Sequence, residues 1–247
     1  MQERKISFYK AISGFYDQIF PFSEKKKSFL KSLSGDKKGN YLDIGCATGG
    51  QVIFAEELGY SSYGLDNDPD LLRIAEEKKI KKGSDAEFIF GDMRKVSDLF
   101  PEIRFNVITC MGNTLVHLGS YSELCRLFDS VYSQLEKGGI FAAQIVNYDN
   151  PRTKGVMAFK DIEGDDFIFV RGNKVVENGE AIEFSGELIL KKTGEKFRNT
   201  VSLYPVYSSA VRRGLEGSGF SSISFYGNFD REAYEDTSNA LIFIAEK

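Results

Sequence analysis

From Tyr41 to about Asn147, short apolar runs (41–44, 61–65, 86–90, 105–111 and 139–146) alternate with stretches of helical periodicity (50–58, 69–80, 93–99 and 120–136). Strands separated by helices in this rhythm become parallel neighbours, because each helix carries the chain back across one face of the sheet. The spacing therefore predicts an α/β fold, a doubly wound, mostly parallel, Rossmann-like sheet. Local punctuation agrees with it. Asp68-Pro69 reads as an N-cap followed by proline at the first helical position, and Lys137-Gly138-Gly139 as a helix C-cap leading into a strand.

The flanks follow other rhythms. Phe8, Ile12, Phe15, Ile19 and Phe20 recur at helical spacing, and after Pro21 a second helical stretch runs from Ser23 to Leu33. Beyond Pro151 the pattern turns to strand-like runs at 166–170, 181–190 and 197–206, separated by Gly or Asn turns with no helix between them, which predicts hairpins. A helical pattern from Tyr207 to Ser218 ends at Gly219, and two further runs, 221–227 and 240–245, predict an antiparallel edge that brings the main sheet to seven strands. The expected organisation is one domain over 1–247, with a helical cap (1–39), a cofactor-binding core (40–150), an antiparallel β insertion (151–206) and a final helix and strand pair (207–247).

Charge and rare residues narrow the chemistry. A formal net charge of −4 and a pI near 5.3 provide no broad basic field, so nucleic acid is not an expected partner. Three cysteines without paired spacing and a single histidine leave too few soft ligands for a zinc cluster, so no metal is expected. The same cysteines fit reduced thiols in a cytoplasmic protein. No signal-type apolar core follows Met1, and no run approaches transmembrane length, so neither export nor a membrane is expected.

The first strand of the alternation runs through Asp43 into a turn, Gly45-Cys-Ala-Thr-Gly-Gly50, and the second ends at Asp66 about twenty residues on. Gly45 and Gly49 carry no Cβ and accept positive φ, so the backbone can turn sharply and lie against a ligand. The glycines alone also fit the dinucleotide pattern, with Asp66 at the distance where NAD places its ribose carboxylate. Asp43 separates the two readings. A carboxylate two residues before the first glycine repels a pyrophosphate and attracts a cationic amino-acid group, favouring a cofactor with an ammonium and a sulfonium. Asp92, after the third strand, adds an acceptor for the exocyclic amine of adenine.

Motif by motif, the chain resembles the class I S-adenosylmethionine-dependent methyltransferases. Leu42-Asp-Ile-Gly-Cys-Ala-Thr-Gly49 is similar to the first family motif, with Ala47 in place of the frequent central glycine; Gly64-Leu-Asp-Asn-Asp68 is similar to the second and Gly91-Asp-Met93 to the third. The resemblance implies Asp43, Gly45, Ala47 and Gly49 beside the methionine moiety, Asp66 and Asn67 at the ribose, and Asp92 with Met93 at the adenine. S-adenosylhomocysteine would be the product. Gly112-Asn-Thr-Leu-Val-His-Leu118, Asn147-Tyr-Asp149 and Leu203-Tyr-Pro205 look like segments of the glycine and sarcosine N-methyltransferases. That branch implies Asn113 at acceptor or cofactor, Met111 and His117 lining the cofactor, and Tyr204 facing the transferring methyl, with the insertion as acceptor lid.

The expected reaction is methyl transfer to a small-molecule acceptor, an amine nitrogen preferred, with Asn113, Tyr204 or Tyr16 holding it; Tyr16 is also expected at the cofactor. A hydroxyl acceptor needs a base, for which His117 is the one candidate. Two other readings stand beside this one: an NAD-dependent oxidoreductase, and a catalytically silent S-adenosylmethionine-binding module. Several residues also have purely structural readings. Asp92 can cap the short helix that follows, Tyr16 and Phe20 can be core packing, and Lys25-Lys26-Lys27 reads as a solvated helix face.

Overall fold

The computed structural model describes residues 12–33, 38–176 and 179–247, so Phe8 of the N-terminal pattern lies outside the described residues. The chain order is α1 (Tyr16–Ile19), α2 (Glu24–Leu33), β1 (Asn40–Ile44), α3 (Gly50–Glu57), β2 (Ser61–Asp66), α4 (Pro69–Lys82), β3 (Glu87–Phe90), α5 (Val96–Leu99), β4 (Phe105–Cys110), α6 (Tyr121–Gln134) and β5 (Leu135–Val146). Then follow β6 (Val156–Ala158), β7 (Ile162–Glu163), β8 (Phe167–Val176), β9 (Ala181–Leu190), β10 (Lys196–Leu203), α7 (Ser208–Ser218), β11 (Ser222–Tyr226) and β12 (Ala240–Glu246).

The main sheet has the order β11-β12-β5-β4-β1-β2-β3 and is parallel except along β12, which pairs antiparallel with both β5 and β11. The seven strands and the antiparallel edge are those the sequence predicts. Apolar residues of α5, α6 and α7 pack on one face of the sheet with Leu42, Ile108 and Phe243. Phe29 and Leu33 of α2 and Ala55 of α3 pack on the other with Tyr41 and Val107. Asp68 caps α4, its side chain accepting from the N–H groups of Asp70 and Leu71, and Gly83 closes that helix at φ +63°. One local expectation fails. Helix α6 ends at Gln134, and Lys137-Gly138-Gly139 lies inside β5. Leu135 already pairs with Phe105 while Ile140 pairs with Val107, so the glycines absorb a bulge where a C-cap was expected.

The insertion forms a second sheet, β10-β9-β8-β6, with β7 added along β8, antiparallel throughout. One end of its inner face packs on the N-terminal segment, where Phe167, Phe169 and Leu188 meet Ile12, Ile19 and Phe15. The other end joins the main core through Ile182 and Leu203. The small sheet thus spans from the cap to the core across the carboxyl ends of the parallel strands.

Candidate active site at the carboxyl ends of the strands

The turn after β1 is wound in the left-handed region at Gly45 (φ +76°), Ala47 (+48°) and Gly49 (+74°). A side chain at Gly45 would collide with Thr114, and one at Gly49 with Phe88, so neither position tolerates a Cβ. Ala47 does carry one, at a conformational cost of about 1–2 kcal/mol. Hydrogen bonds hold the strained turn. Gly45 and Cys46 N–H both donate to Leu65 O, and Ala47 N–H donates to Asp66 Oδ2 at 2.7 Å. Thr48 Oγ1 donates to Asp17 Oδ1 at 2.6 Å, and Asp17 pairs with Lys78 of α4 at 2.5 Å.

Asp43 lies beneath the turn with 4% of its surface exposed. Its Oδ1 accepts from Gln51 Nε2 at 2.9 Å and Thr109 Oγ1 at 2.8 Å, and Gln51 also donates to the hydroxyl of fully buried Tyr41. Among the described residues Oδ2 accepts no hydrogen bond. Burial pushes the Asp43 carboxyl up to about 7, Asp66 adds to the rise, and the bonds from Thr109 and Gln51 and the charge of Lys26 oppose it. A buried acid with one free oxygen is a seat for a cation. Lys26, expected on a solvated face, is half-buried: its Nζ donates to Pro21 O, and desolvation lowers its pKa. Lysine-rich sequence concealed it, because its neighbours Lys25 and Lys27 pair with Asp230 and Glu24.

At the end of β2, Asp66 Oδ1 accepts from Asp68 N–H at 2.9 Å while Oδ2 holds Ala47, so the carboxylate ties the turn to its own strand. Burial raises its pKa, and those backbone bonds oppose the rise. Asn67 beside it is exposed. Asp92 caps the 3-10 turn Met93–Lys95 through Arg94 N–H and takes the Arg94 guanidinium, which lowers its pKa. The capping reading is therefore observed for Asp92, with its carboxylate held at the rim; Met93 is half-buried against the core.

At the end of β4, Met111 packs with Phe29 and Tyr41. Asn113, at φ +70°, accepts from Val146 N–H at 2.9 Å through Oδ1 and donates through Nδ2 to Tyr148 Oη at 3.4 Å. Both ends of its amide are engaged in joining β4 to β5. His117 ends the turn Thr114–His117, exposed, and desolvation lowers its imidazole pKa. Tyr204, half-buried, bonds its N–H to Val116 O, which brings β10 against that turn. Burial raises its hydroxyl pKa, and the charge of Arg213 opposes the rise. Tyr16 packs against Phe20, the tilted rings 5.1 Å apart at their centres, in the aromatic cluster under the small sheet.

The small sheet's inner face carries polar groups that no motif announces. Strand alternation puts Phe169, Arg171 and Asn173 on one side of β8, and the register sets Gly186 of β9 between Arg171 and Asn199 of β10. The Arg171 guanidinium lies 5.8 Å from the Phe20 ring centre and 5.1 Å from that of Phe159. Its Nε is buried without a partner among the described residues, and so is Oδ1 of Asn173, a residue only 5% exposed. These groups fall between the cap end and the core end of the small sheet.

Comparison with known proteins finds methyltransferases. Residues 42–139 match the model of a methyltransferase domain. The glycine/sarcosine N-methyltransferase of Aphanothece halophytica is 24% identical over 243 residues, covering 96% of this chain and 89% of that protein. A dTDP-3-amino-3,6-dideoxy-alpha-D-glucopyranose N,N-dimethyltransferase of Streptomyces fradiae is 26% identical over 145 residues, covering 59% and 54%. Among solved structures, an S-adenosylmethionine-dependent methyltransferase of Clostridium acetobutylicum superimposes with a TM-score of 0.81 at 17% identity, covering 97% of this chain and 99% of that one. Among the described residues no group of acidic, His or Cys side chains is arranged to hold a metal, and no helix is long and apolar enough to cross a membrane.

Proposed function

We propose that this chain is a class I S-adenosylmethionine-dependent methyltransferase that methylates the nitrogen of a small amine that also carries a carboxylate. The observation that carries the acceptor reading is the pair of unsatisfied groups on the lid, a buried donor at Arg171 Nε and a buried acceptor at Asn173 Oδ1. Unpaired buried polar groups each cost about 1–3 kcal/mol, so a fold that keeps both is built to have them satisfied by a ligand. One molecule that accepts at Arg171 and donates at Asn173 is an amino acid. The similar protein of Aphanothece halophytica acts on glycine and sarcosine by name, which supports the same class here.

The residues fit the cofactor. Asp43 Oδ2 would take its ammonium, Lys26 its carboxylate, Asp66 and Asn67 its ribose hydroxyls, and the neighbourhood of Asp92 and Met93 its adenine. Gly45, Ala47 and Gly49 would line the turn side, with Met111, His117 and Tyr16 around it. When bound, the cofactor supplies a methyl on a sulfonium, already activated for in-line displacement by a nitrogen lone pair, with the bond electrons left on sulfur. The protein's work is then orientation and exclusion of water. Asn113 would brace the floor between β4 and β5, Tyr204 and the lid would close over the acceptor, and His117, its pKa lowered by desolvation, would be the base for the proton the amine must lose. The matched domain and the similar proteins are methyltransferases and give no support to the oxidoreductase alternative.

The test is release of S-adenosylhomocysteine from S-adenosylmethionine with a panel of glycine, sarcosine, their methyl esters and an amino sugar. Turnover with the free amino acids and none with the esters is expected. Turnover with the esters or the amino sugar alone overturns the carboxylate assignment, and binding with no turnover on any amine favours a silent module.

A further inference from the structure

The hydroxyl groups beneath Asp43 relay toward its carboxylate. Tyr41 Oη lies 2.6 Å from Thr109 Oγ1 and has no other acceptor in reach among the described residues, so Tyr41 donates to Thr109. Burial raises the Tyr41 pKa further, which keeps that proton in place. The Thr109 proton is then free for Asp43 Oδ1 at 2.8 Å, a shorter contact than Leu42 O at 3.4 Å. Gln51 Nε2 has two protons to give, and its acceptors are Tyr41 Oη at 2.8 Å and Asp43 Oδ1 and Thr109 Oγ1, each at 2.9 Å. Every donor in the cluster points, directly or through a hydroxyl, at one oxygen of one carboxylate.

We propose that Tyr41, Gln51 and Thr109 are positioning residues that commit Asp43 Oδ1 to the protein, so that a proton and the cationic end of the cofactor compete for Oδ2. The proposal rests on the reading that places the cofactor's ammonium at Asp43. With Oδ1 taken by two donors, a proton entering the carboxyl must sit on Oδ2. There it occupies the position a cation needs and removes the charge that attracts it.

The surroundings put this competition near neutrality. Burial, the largest influence, brings the carboxyl to about 7; Asp66 from β2 pushes it up, and Lys26 from α2 pulls it down. The other titratable groups that sense Asp43 are Tyr41, Cys46 of the turn and Cys110 of β4, and all three are raised far enough to stay neutral. Among the described residues no neighbour other than Asp66 and Lys26 brings a charge into the balance. A bound cation would lower the carboxyl's pKa, so binding below neutrality releases a proton.

The experiment measures the dissociation constant of S-adenosylhomocysteine from pH 5.5 to 8.5 by calorimetry in two buffers of different ionisation enthalpy. For the natural sequence, affinity is expected to be flat above about pH 7 and to fall by up to tenfold per pH unit below it, with matching proton release. Asp43→Asn should bind more weakly at pH 8 and lose the pH dependence. Thr109→Val and Gln51→Met each remove a donor to the charged form and should move the midpoint upward by roughly one pH unit. Thr109→Ser should restore it. If Asp43→Asn binds like the natural sequence at pH 8, the cofactor reading of Asp43 falls and this proposal with it. If Asp43→Asn weakens binding but neither Thr109→Val nor Gln51→Met moves the midpoint, the cofactor reading stands and the positioning role is overturned.

Discussion

Thr48 Oγ1 donates to Asp17 Oδ1 at 2.6 Å, so the glycine turn is tied to a helix that precedes it by 31 residues. The same short helix packs into the lid, with Phe15 against Phe167 at 4.8 Å and Phe20 against Phe169 at 5.9 Å. Release of S-adenosylhomocysteine is therefore expected to involve movement of this strap. Asp17→Ala removes the hydrogen bond and the pairing with Lys78, and Asp17 is exposed enough that the loss should be only about 1 kcal/mol. The S-adenosylhomocysteine off-rate, read by stopped flow, should rise roughly fivefold with little change in the association rate. An unchanged off-rate would show that the strap is not held by this contact.

Asp66 has two separable tasks, and its substitutions should divide them. Asp66→Ala loses the bonds to Ala47 and Asp68 N–H as well as the proposed ribose contact. Cofactor affinity should fall by about 1–3 kcal/mol, with a drop in thermal stability because the left-handed Ala47 is no longer anchored. Asp66→Asn keeps one carbonyl acceptor for the backbone and should recover part of the stability while remaining weak in binding. A dissociation constant unchanged in either folded variant would remove Asp66 from the ribose.

The parts of this site that could be read from sequence are those encoded locally. Asp43, the turn and Asp66 sit at the ends of apolar runs, and the alternation of those runs with helices already orders the strands. The lid's hairpins were visible in the same way, as runs broken by Gly and Asn. Arg171 could be picked only as one guess among 32 lysines and arginines, and Asn173 not at all, because what makes them unusual is a register between β8, β9 and β10 that leaves two polar atoms without partners among the described residues. Lys26 was hidden inside a run of three lysines, and only the packing of α2 shows which of them turns inward. The Gly138 bulge escaped for a related reason: Lys-Gly-Gly after a helix has the composition of a C-cap, and the pairing of Leu135 with Phe105 decides otherwise.

The elevated Asp43 carboxyl also sets a direction for stability. Its value is about 7 in the folded chain against 3.8 as the ordinary reference, so folding favours the protonated form. The resulting stabilisation is fully present below pH 3.8, declines as the pH rises, and is gone above about 7. Other carboxyls, such as Asp92, are lowered and act in the opposite sense, so the contribution must be isolated by difference. Between pH 4 and 7 the unliganded natural protein should lose stability relative to Asp43→Asn by an amount on the order of 4 kcal/mol at most. Parallel denaturant curves for the two proteins across that window check it, and a pH-independent difference would mean that Asp43 titrates normally.

Arg171 should show the opposite balance between stability and function. Its guanidinium lies between Phe20 and Phe159 with Nε buried and unpaired, so the stem and rings contribute packing while the polar edge costs desolvation. Arg171→Met retains much of the apolar length and removes the unsatisfied donor. The unliganded variant should therefore be as stable as the natural protein or more stable, by an amount on the order of 1 kcal/mol. Methyl transfer should respond differently: the KM for a carboxylated amine should rise more than tenfold, while the dissociation constant of S-adenosylhomocysteine stays within a factor of two, since the substitution is on the lid. Arg171→Lys keeps the charge but not the planar fork and should fall between the two. If Arg171→Met instead loses stability and leaves KM unmoved, the arginine serves as a cation between two aromatic rings, and the acceptor must be held elsewhere on the lid.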